Sequence, residues 1–459
     1  MGLRDRLKRA EMTAAAANPA ASGANGVAAP GSGLGSAVEA YHELKHDLHG
    51  KLIEKLDLTT IEKLPRAQLH DELRLILAGM LAETELPLNR QERETLVEDL
   101  LDEVTGLGPL EPLLRDHSIS DILVNRYDTV YIERFGKLEL SAIRFRDNDH
   151  LVQIINRIVS RVGRRVDDSS PMADARLADG SRVNAILPPL ALDGAVLSIR
   201  RFGGSPLRIR DLLSIGSLTP EMIAFLGAAV KAKCNVLISG GTGTGKTTML
   251  NALSSFIPDD ERIITIEDAA ELQLQQRHVV RLETRPPNIE GRGEVLARDL
   301  AKNALRMRPD RIVIGECRGG EVLDMLQAMN TGHEGSMTTV HANTPRDALS
   351  RIEAMVGMGS VQMSETLTRQ TISRAINLVL QLSRGTDGRR RVASISEVTG
   401  MESAVITMQE IFRFDQRGVD KDGKIIGEYR ATGVRPKLLE RIERYGIDPT
   451  EVVRPFLAA

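Results

Sequence analysis

The sequence predicts an α/β protein with a largely parallel sheet, and three observations support that prediction. From about residue 212 onward, near-continuous apolar strand segments alternate with helical segments, as expected for buried parallel strands joined by helices. The preceding region combines short strands with one amphipathic helix, which is typical of an α+β domain. The region before that places leucines at three- and four-residue spacing, which indicates a small helical bundle.

Composition excludes several classes of protein. The chain has 459 residues, a net charge of -3, no tryptophan and 3% aromatic residues. These values argue against a base-stacking nucleic-acid platform or a global basic field. No apolar run approaches the ~20 residues that span a bilayer, and the N-terminus lacks the apolar stretch of a secretory signal. We therefore expect a cytoplasmic protein that binds no nucleic acid directly.

The two cysteines predict neither a disulfide nor a metal site. Cys234 and Cys317 have no paired spacing, which excludes a disulfide framework and a four-cysteine zinc site. Cys234 precedes one predicted parallel strand and Cys317 follows another, so the two should lie at opposite edges of the sheet.

The pattern divides the chain into five regions. A capping box at Asn89 and Glu92 starts the third helix of the predicted bundle, and Gly106 ends that helix. A hinge is expected at residues 203–206, where the sequence reads GGSP. The predicted regions are a disordered Ala/Gly-rich N-terminus (1–36), a three-helix bundle (37–105), an α+β domain (106–206), an α/β domain (207–435) and C-terminal helices (436–459).

The segment GGTGTGKTT has the spacing G-x-x-x-x-G-K-T of a phosphate-binding loop. A predicted strand precedes it and a predicted helix follows it, as this motif requires. Glycines let successive N–H groups turn inward around phosphate oxygens, and the helix N-terminus favours anions. We expect Lys246 to contact the β- and γ-phosphates and Thr247 to bind Mg²⁺. The predicted nucleotide-binding residues of the loop are Gly241, Thr242, Gly243, Thr244, Gly245, Lys246, Thr247 and Thr248.

Two further strands end in acids that should face the same edge of the sheet as the loop. DRIVIGE ends in Glu316, which could orient or deprotonate the attacking water. RIITIEDAAEL carries Glu267, Asp268 and, three residues on, Glu271, which could hold Mg²⁺ through water. Glu316 is a further candidate for the magnesium site. A surface acid at Glu316, or a carboxylate that starts a helix at Glu267, is the simpler alternative.

The segment TGHEGSMTTVHANTP contains two histidines. His333-Glu334 could open a zinc-protease motif, but that motif needs a second histidine where Met337 stands. His341 ends a predicted strand and should lie at the ligand edge of the sheet. His333 precedes the strand and should lie nearer the opposite edge, where a core or capping role is equally compatible with the sequence.

Taken in order, these motifs resemble those of the secretion ATPases of the type II/type IV secretion and type IV pilus superfamily. RIITIEDAAEL is similar to that family's Asp box, RIVIGECRG to its Walker B motif, and TGHEGSMTTVHANTP to its His box. Within the superfamily, PLLRDHSISDILVN, PMADARLADGSRVNAILPP and SIRRF resemble most the CpaF motor ATPases of tight-adherence (Tad) pili.

This resemblance implies a RecA-like P-loop ATPase domain, a hexameric ring, and ATP with Mg²⁺ as ligands. It implies catalytic or sensing roles for Glu316, Lys246, Glu267 and His341, with His333 near subunit contacts. It also implies that arginines close onto the phosphates, partly from a neighbouring subunit. The candidate arginines are Arg176, Arg182, Arg200, Arg201 and Arg318.

The implied function is a cytoplasmic motor, peripheral to the inner membrane, that powers assembly and possibly retraction of Tad or type IV pili. Its partners would be further copies of itself and the inner-membrane platform proteins of the pilus. A type IV secretion ATPase that moves protein or DNA shares the same motifs and stays an alternative. A RecA-like nucleic-acid motor fits the charge and aromatic content less well, and no N/T-K-x-D motif supports a GTPase.

Overall fold

The computed structural model describes most of the chain. The Ala/Gly-rich region 1–36 and the expected hinge at 203–206 lie outside the described residues, so both stay predictions. No helix in the described part is long and apolar enough to cross a membrane. The described residues are 66–82, 89–134, 136–201, 207–287, 292–359 and 363–450, with several positions between 44 and 52 and the single positions 361 and 452.

The chain forms two compact units, Met1–Gly203 and Gly204–Ala459. The first unit begins with helices α1 (Arg66–Ala82) and α2 (Arg90–Thr105). The predicted capping box is present, because Asn89 Oδ1 accepts from the Glu92 N–H and the Glu92 side chain accepts from the Asn89 N–H.

The leucine stripes expected for the helical bundle pack into one cluster. Leu44, Leu48 and Leu52 lie in helical positions and are buried with residues of α1 and α2. The bundle as a whole stays a prediction, because its first helix is described only in part. Its other buried members are Leu73, Leu77, Met80, Leu81, Leu96, Val97, Leu100 and Leu101.

The rest of the first unit is a six-stranded antiparallel sheet covered on one face by a helix. The strand order is β3-β2-β1-β6-β5-β4. Helix α4 has an amphipathic sequence, HLVQIINRIVSRV, and its apolar side chains enter one cluster with the sheet. Strand β4 escaped the sequence analysis because its inward residues are only alanines. The elements are α3 (Glu111–Arg115), β1 (Ile119–Arg126), β2 (Thr129–Arg134), β3 (Lys137–Leu140), α4 (Asn148–Arg161), β4 (Met172–Arg176), β5 (Arg182–Ile186) and β6 (Val196–Arg200).

The second unit is built on a nine-stranded mixed sheet of order β15-β14-β13-β12-β7-β11-β10-β8-β9. Strands β7, β11, β10, β8 and β9 run parallel, as predicted, and β12, which the sequence analysis does not predict, runs parallel to β7. The parallel strands are β7 (Val236–Gly240), β8 (Ile263–Glu267), β9 (Val279–Glu283), β10 (Arg311–Ile314), β11 (Met337–Val340) and β12 (Leu378–Arg384).

Helices cover both faces of this parallel core. Two apolar clusters lie on opposite faces, so that every residue of the four strands β7, β8, β10 and β11 is buried. This explains their near-continuous apolar sequences. The helices are α5 (Ile209–Ser214), α6 (Pro220–Lys231), α7 (Lys246–Ser254), α8 (Ala297–Ala304), α9 (Glu321–Asn330), α10 (Pro345–Gly357), α11 (Glu365–Ala375) and α12 (Leu438–Arg444).

Three antiparallel strands extend the sheet beyond β12. They are β13 (Arg390–Glu402), β14 (Val405–Val419) and β15 (Ile425–Ala431). The sequence analysis does not predict them. β13 is mostly buried but mixes serine and glutamate with its apolar residues, whereas β14 and β15 are exposed or half-buried over most of their length. Of the predicted C-terminal helices, α12 is present, whereas nearly all of the following segment lies outside the described residues.

Candidate phosphate-binding site

The predicted loop connects β7 to α7 in the expected strand–loop–helix arrangement. Gly243 and Gly245 have φ angles of 69° and 93°, a region that favours glycine. Thr244 Oγ1 donates to Gly241 O at 2.9 Å, and a Cβ on Gly240 would lie 2.5 Å from that hydroxyl. The loop glycines therefore provide both the backbone turn and the space for it.

Lys246 is buried at the N-terminus of α7. Its Nζ donates to Gly240 O and Gly241 O, both at 3.0 Å. The same Nζ lies 3.2 Å from Nε2 and 3.4 Å from Nδ1 of His341, which follows β11 on the neighbouring strand. The structure thus places His341 at the ligand edge, as expected from the sequence.

A chain of charged side chains continues from His341 across the carboxyl ends of the strands. His341 Nε2 lies 2.8 Å from Glu316 Oε1. Arg318 Nε donates to Glu316 Oε2 at 2.7 Å, and Arg318 Nη1 donates to Asp268 Oδ2 at 3.1 Å. Burial lowers the pKa of His341, and the positive charge of Lys246 lowers it further. The His341 ring is therefore neutral near pH 7.

Glu267 caps the turn that follows its strand with one carboxylate oxygen and leaves the other one unpaired within the described part of the chain. Its Oε1 accepts from the N–H groups of Glu271 and Leu272, both at 2.8 Å, so one oxygen caps the following turn. Its Oε2 is buried and has no hydrogen-bond partner among the described residues. Burial raises the pKa of this carboxyl to about 7, although the two backbone hydrogen bonds act against the rise.

The residues present fit a magnesium ion that accompanies a bound nucleotide. Mg²⁺ prefers oxygen ligands and usually keeps several waters. Thr247 supplies a hydroxyl at the helix start, and the unpaired Oε2 of Glu267 can accept from a metal-bound water. The described residues contain no group of three or more His, Cys, Asp or Glu side chains that could hold a metal without a nucleotide.

A largely apolar cleft lies beside the loop, and the sequence analysis missed it. Gly245 and Thr248 line one side, and Leu207, Leu212, Ile215 and Arg390 line the others. Thr248 is two residues after the phosphate-binding lysine. A nucleotide held by the loop can therefore direct its ribose and base toward this cleft. Thr248 and Arg390 are some 140 positions apart in sequence, so no local spacing predicts this cleft.

Three of the four candidate arginines in the first unit lie in one row. Arg176 pairs with Arg182 across β4 and β5, and Arg182 pairs with Arg200 across β5 and β6. Cross-strand partners share a face, and the alternating neighbours Val183 and Ile199 are buried on the helix-covered face. The three arginines therefore belong to the open face of the sheet.

The fourth candidate, Arg201, is placed differently. Its guanidinium contacts Asp116 O, and its Nε is buried without a partner among the described atoms. Because one end of the side chain is already bound to the backbone, Arg201 is a weaker candidate for nucleotide contact than the row formed by its neighbours. Its role stays a prediction.

His333 lies at the edge of the sheet opposite the loop, in the turn before β11. Its backbone N–H donates to Ala328 O, and its carbonyl accepts from Ser336 Oγ. Neighbouring Glu334 pairs with Arg441 of α12 at 2.7 Å. Cys234 and Cys317 are both buried and free, which confirms that they form no disulfide.

Comparisons with known proteins agree with this arrangement. The Type II/IV secretion system protein family matches residues 103–421, and the N-terminal domain of Type II secretion system protein E matches residues 41–105. A Mycobacterium tuberculosis H37Rv protein named for conjugal transfer is 39% identical over 332 residues, which cover 71% of this chain and 92% of that protein.

Two VirB11 proteins extend the comparison. The type IV secretion system protein VirB11 of Bartonella quintana is 31% identical, over 64% of this chain and 92% of that protein. The crystal structure of the Brucella suis VirB11 ATPase is 29% identical, covers 62% of this chain and 94% of that chain, and superposes with a TM-score of 0.35. On the strength of the family match, which spans more than half of its length, the chain belongs to the Type II/IV secretion system protein family.

Proposed function

We propose that this chain is an ATP hydrolase that powers a secretion or pilus machine in the cell envelope. One observation carries the proposal, namely the continuous chain of contacts from Lys246 through His341 and Glu316 to Arg318 and Asp268. This chain links the phosphate-binding loop to the ends of three neighbouring strands, so that a γ-phosphate would lie beside all of them.

Each group has a role that its position supports. Lys246 compensates charge on the β- and γ-phosphates, and Glu316 orients or deprotonates the attacking water. Neutral His341 lies between Lys246 and Glu316. A bound γ-phosphate can therefore affect both residues through His341. Arg318 bridges Glu316 and Asp268, where it can stabilise negative charge as the terminal phosphate is transferred. Mg²⁺, when bound with the nucleotide, neutralises phosphate charge beside Thr247 and Glu267.

We propose Tad pili as the machine that this ATPase drives. The support is the resemblance of PLLRDHSISDILVN and PMADARLADGSRVNAILPP to the CpaF group. On this proposal the protein is cytoplasmic and meets inner-membrane platform proteins at the membrane face. A type IV secretion ATPase is the second candidate, because relatives are named for conjugal transfer and for type IV secretion.

We further propose that the active protein is a homohexamer in which arginines act between subunits. The support is the row formed by Arg176, Arg182 and Arg200 on the open face of the first unit. Asp174 of β4 lies 3.7 Å from Arg182 and balances part of this charge. Guanidinium groups bind phosphate through charge-assisted hydrogen bonds, so a nucleotide phosphate is a suitable partner for the row.

Purified Lys246→Ala and Glu316→Gln proteins test the proposed chemistry. Lys246→Ala should abolish Mg-ATP hydrolysis and weaken nucleotide binding, because a buried cation at the phosphates is lost. Glu316→Gln should bind ATP as the wild type does but turn it over at least ~100-fold more slowly, because the general base is removed. Wild-type turnover by Lys246→Ala would contradict the assignment of the loop, and wild-type turnover by Glu316→Gln would move the base to Glu267.

A deletion strain identifies the machine. Complementation with the wild-type chain should restore surface pili, and complementation with Glu316→Gln should not. Restored transfer of DNA or protein to recipient cells, without restored pili, would favour the type IV secretion alternative.

A further inference from the structure

A cross-strand pair of arginines lies beside the phosphate-binding loop, outside all of the sequence motifs. Strand β7 turns into the loop at Gly240, whereas its parallel neighbour β12 pairs Leu382 with Gly240 and continues to Arg384. Strand β13 returns antiparallel and places Arg390 directly opposite Arg384. The tip of this hairpin therefore extends past the carboxyl edge of the sheet, where ligands of parallel sheets bind.

Both arginines lie over the loop. Arg384 Nη1 lies 3.5 Å from the position that a Cβ on Gly243 would occupy, and Arg390 Cδ lies 3.5 Å from the equivalent position on Gly245. A side chain at either glycine would therefore be in van der Waals contact with an arginine, which places both arginines beside the glycines that shape the loop. Arg390 also lines the cleft beside Thr248.

The hairpin tip is held in place by a separate, buried ion pair. Arg391 donates to both carboxylate oxygens of Asp387, at 3.0 and 2.5 Å, and Asp387 also accepts from the Ile425 N–H. The Arg391 guanidinium lies over the Phe414 ring at 5.4 Å. The one carboxylate of the turn is thus committed to Arg391, and the tip is a fixed platform for its neighbours.

The exposed hairpin tip is rich in positive charge. Like charges directly opposite each other on antiparallel strands destabilise the pair. Arg389, next to Arg390, adds a third positive charge to the exposed tip. An anion between the arginines and the loop would offset this repulsion, and guanidinium groups bind phosphate through paired charge-assisted hydrogen bonds.

We propose that Arg384 and Arg390 bind the polyphosphate of a nucleoside di- or triphosphate within the same subunit as the loop. This inference rests on the proposed function of the loop. The arginines hold the outer side of the polyphosphate while the loop N–H groups and Lys246 hold the inner side. Because they contact the nucleotide before and after hydrolysis, they contribute to binding more than to the chemical step.

Full-length Arg384→Gln, Arg390→Gln and the double variant test the proposal. Isothermal titration calorimetry with Mg-ATP and Mg-ADP should give a dissociation constant about tenfold higher for each single variant. This is the size expected for the loss of one charge-assisted hydrogen bond. KM for ATP should rise in parallel while kcat changes less than about twofold. Without nucleotide the melting temperature should stay equal or rise, because like-charge repulsion is removed.

Arg389→Gln, which removes a neighbouring charge from the same turn, is the matched control and should bind as the wild type does.

The outcomes separate this proposal from the one on which it rests. If the double variant binds within about twofold of wild type while Lys246→Ala loses binding, the arginine proposal fails and the loop assignment stands. If Lys246→Ala binds as wild type does, the loop assignment itself fails. If the glutamine variants melt lower, the double lysine variant, which keeps both charges but not the guanidinium geometry, must bind more tightly than the double glutamine variant. Equal loss in the lysine variant overturns the proposal.

Discussion

At the residue scale, single buried charges link parts of the first unit that are far apart in sequence. Glu103, near the end of α2, lies 2.9 Å from Lys45 Nζ and 2.9 Å from Nε2 of His150 on α4. Arg157 of α4 donates to Glu103 O and Gly106 O. These contacts join α2 and Lys45 to the helix that covers the six-stranded sheet.

Glu103→Gln should destabilise the first unit. Burial by itself would raise the pKa of Glu103, but the hydrogen bond to His150 and the charge of Lys45 lower it to about 2. Because the folded pKa lies below the unfolded value of 4.5, the stabilisation is fully present above pH 4.5 and is lost as pH falls toward 2. Removing one member of such a buried pair costs about 3–5 kcal/mol.

Denaturant unfolding at pH 7 and at pH 3 measures this effect. The variant should differ more from wild type at pH 7 than at pH 3, since protonation removes the same charge. Glu98→Gln, one turn earlier and in an exposed pair with Arg74, is the control and should change stability little. An equal loss at both pH values would contradict an electrostatic origin.

At the residue scale the sequence also predicts most of the candidate site. Lys246, Glu316 and His341 lie in local motifs whose strand context fixes the edge they face, so their convergence follows from the parallel topology. Arg384 and Arg390 could not be predicted in this way. Their contact with the loop depends on the pairing of β12 with β7, and no local spacing encodes that pairing.

At the scale of elements, the strand starts opposite the nucleotide edge are held by a buried ion pair. Arg311, the first residue of β10, has no solvent exposure. Its Nε and Nη2 donate to Glu261 at 2.5 and 3.0 Å, and its Nη1 donates to Val230 O at 2.8 Å. Gly335 has φ 84°, and a Cβ there would lie 2.5 Å from Arg311 Nη1.

Arg311→Met should lower the free energy of unfolding by about 3–5 kcal/mol, because it leaves Glu261 without its main partner. Arg311→Met combined with Glu261→Met should recover most of that loss, since the buried charge is then removed from both sides. Thermal or denaturant unfolding measures both variants. Mg-ATP affinity of the folded double variant should match wild type, because the pair lies at the far ends of the strands. A double variant no more stable than the single one would contradict this reading.

The antiparallel extension formed by β13, β14 and β15 was not predicted, and the reason lies in the burial of its strands. The core strands β7, β8, β10 and β11 are buried throughout and are therefore almost continuously apolar. Strand β13 is mostly buried but interrupts its apolar residues with serine and glutamate, and β14 alternates apolar residues with exposed charged ones. Their order comes from pairing with β12, which is itself apolar. Parallel strands with two covered faces are therefore easier to identify from sequence than the exposed strands that extend the same sheet.

At the scale of the whole molecule, the arginine row of the first unit predicts an assembly that depends on nucleotide. Light scattering should show a hexamer that is tightened by Mg-ATP and weakened by salt, because screened charges attract less. A monomer at every protein and nucleotide concentration would rule this out.

Mixing subunits tests which residues act across the interface. An Arg182→Ala/Arg200→Ala subunit and a Lys246→Ala subunit are each expected to be inactive alone. Together they should regain part of the ATPase activity if the arginines complete a neighbour's site, since some interfaces then combine intact halves. No recovery, with mixed hexamers shown to form, would place the arginines in their own subunit.

The N-terminal region should serve coupling more than catalysis. Deletion of residues 1–104 removes no residue of the candidate site, so Mg-ATP binding and much of the hydrolysis should remain while pilus assembly in cells is lost. Full-length Glu103→Gln is the matched control, because it loses the same carboxylate contact but keeps the helices. Loss of hydrolysis together with the hexamer would instead favour a stabilising cap, and normal pili would contradict both interpretations.

The turn at His333–Gly335 and the histidine at 341 belong to one sequence motif but lie beyond opposite ends of one strand, which has four residues and is about 13 Å long. Gly335 leaves room for a buried arginine, Glu334 binds the C-terminal helix, and His341 contacts the phosphate-binding lysine. Under the proposed function, the two halves of this one motif therefore have different tasks: the first half stabilises the fold, and the last half contributes to ATP hydrolysis. Changes at its first half should be visible in melting curves, and changes at its last half in steady-state kinetics.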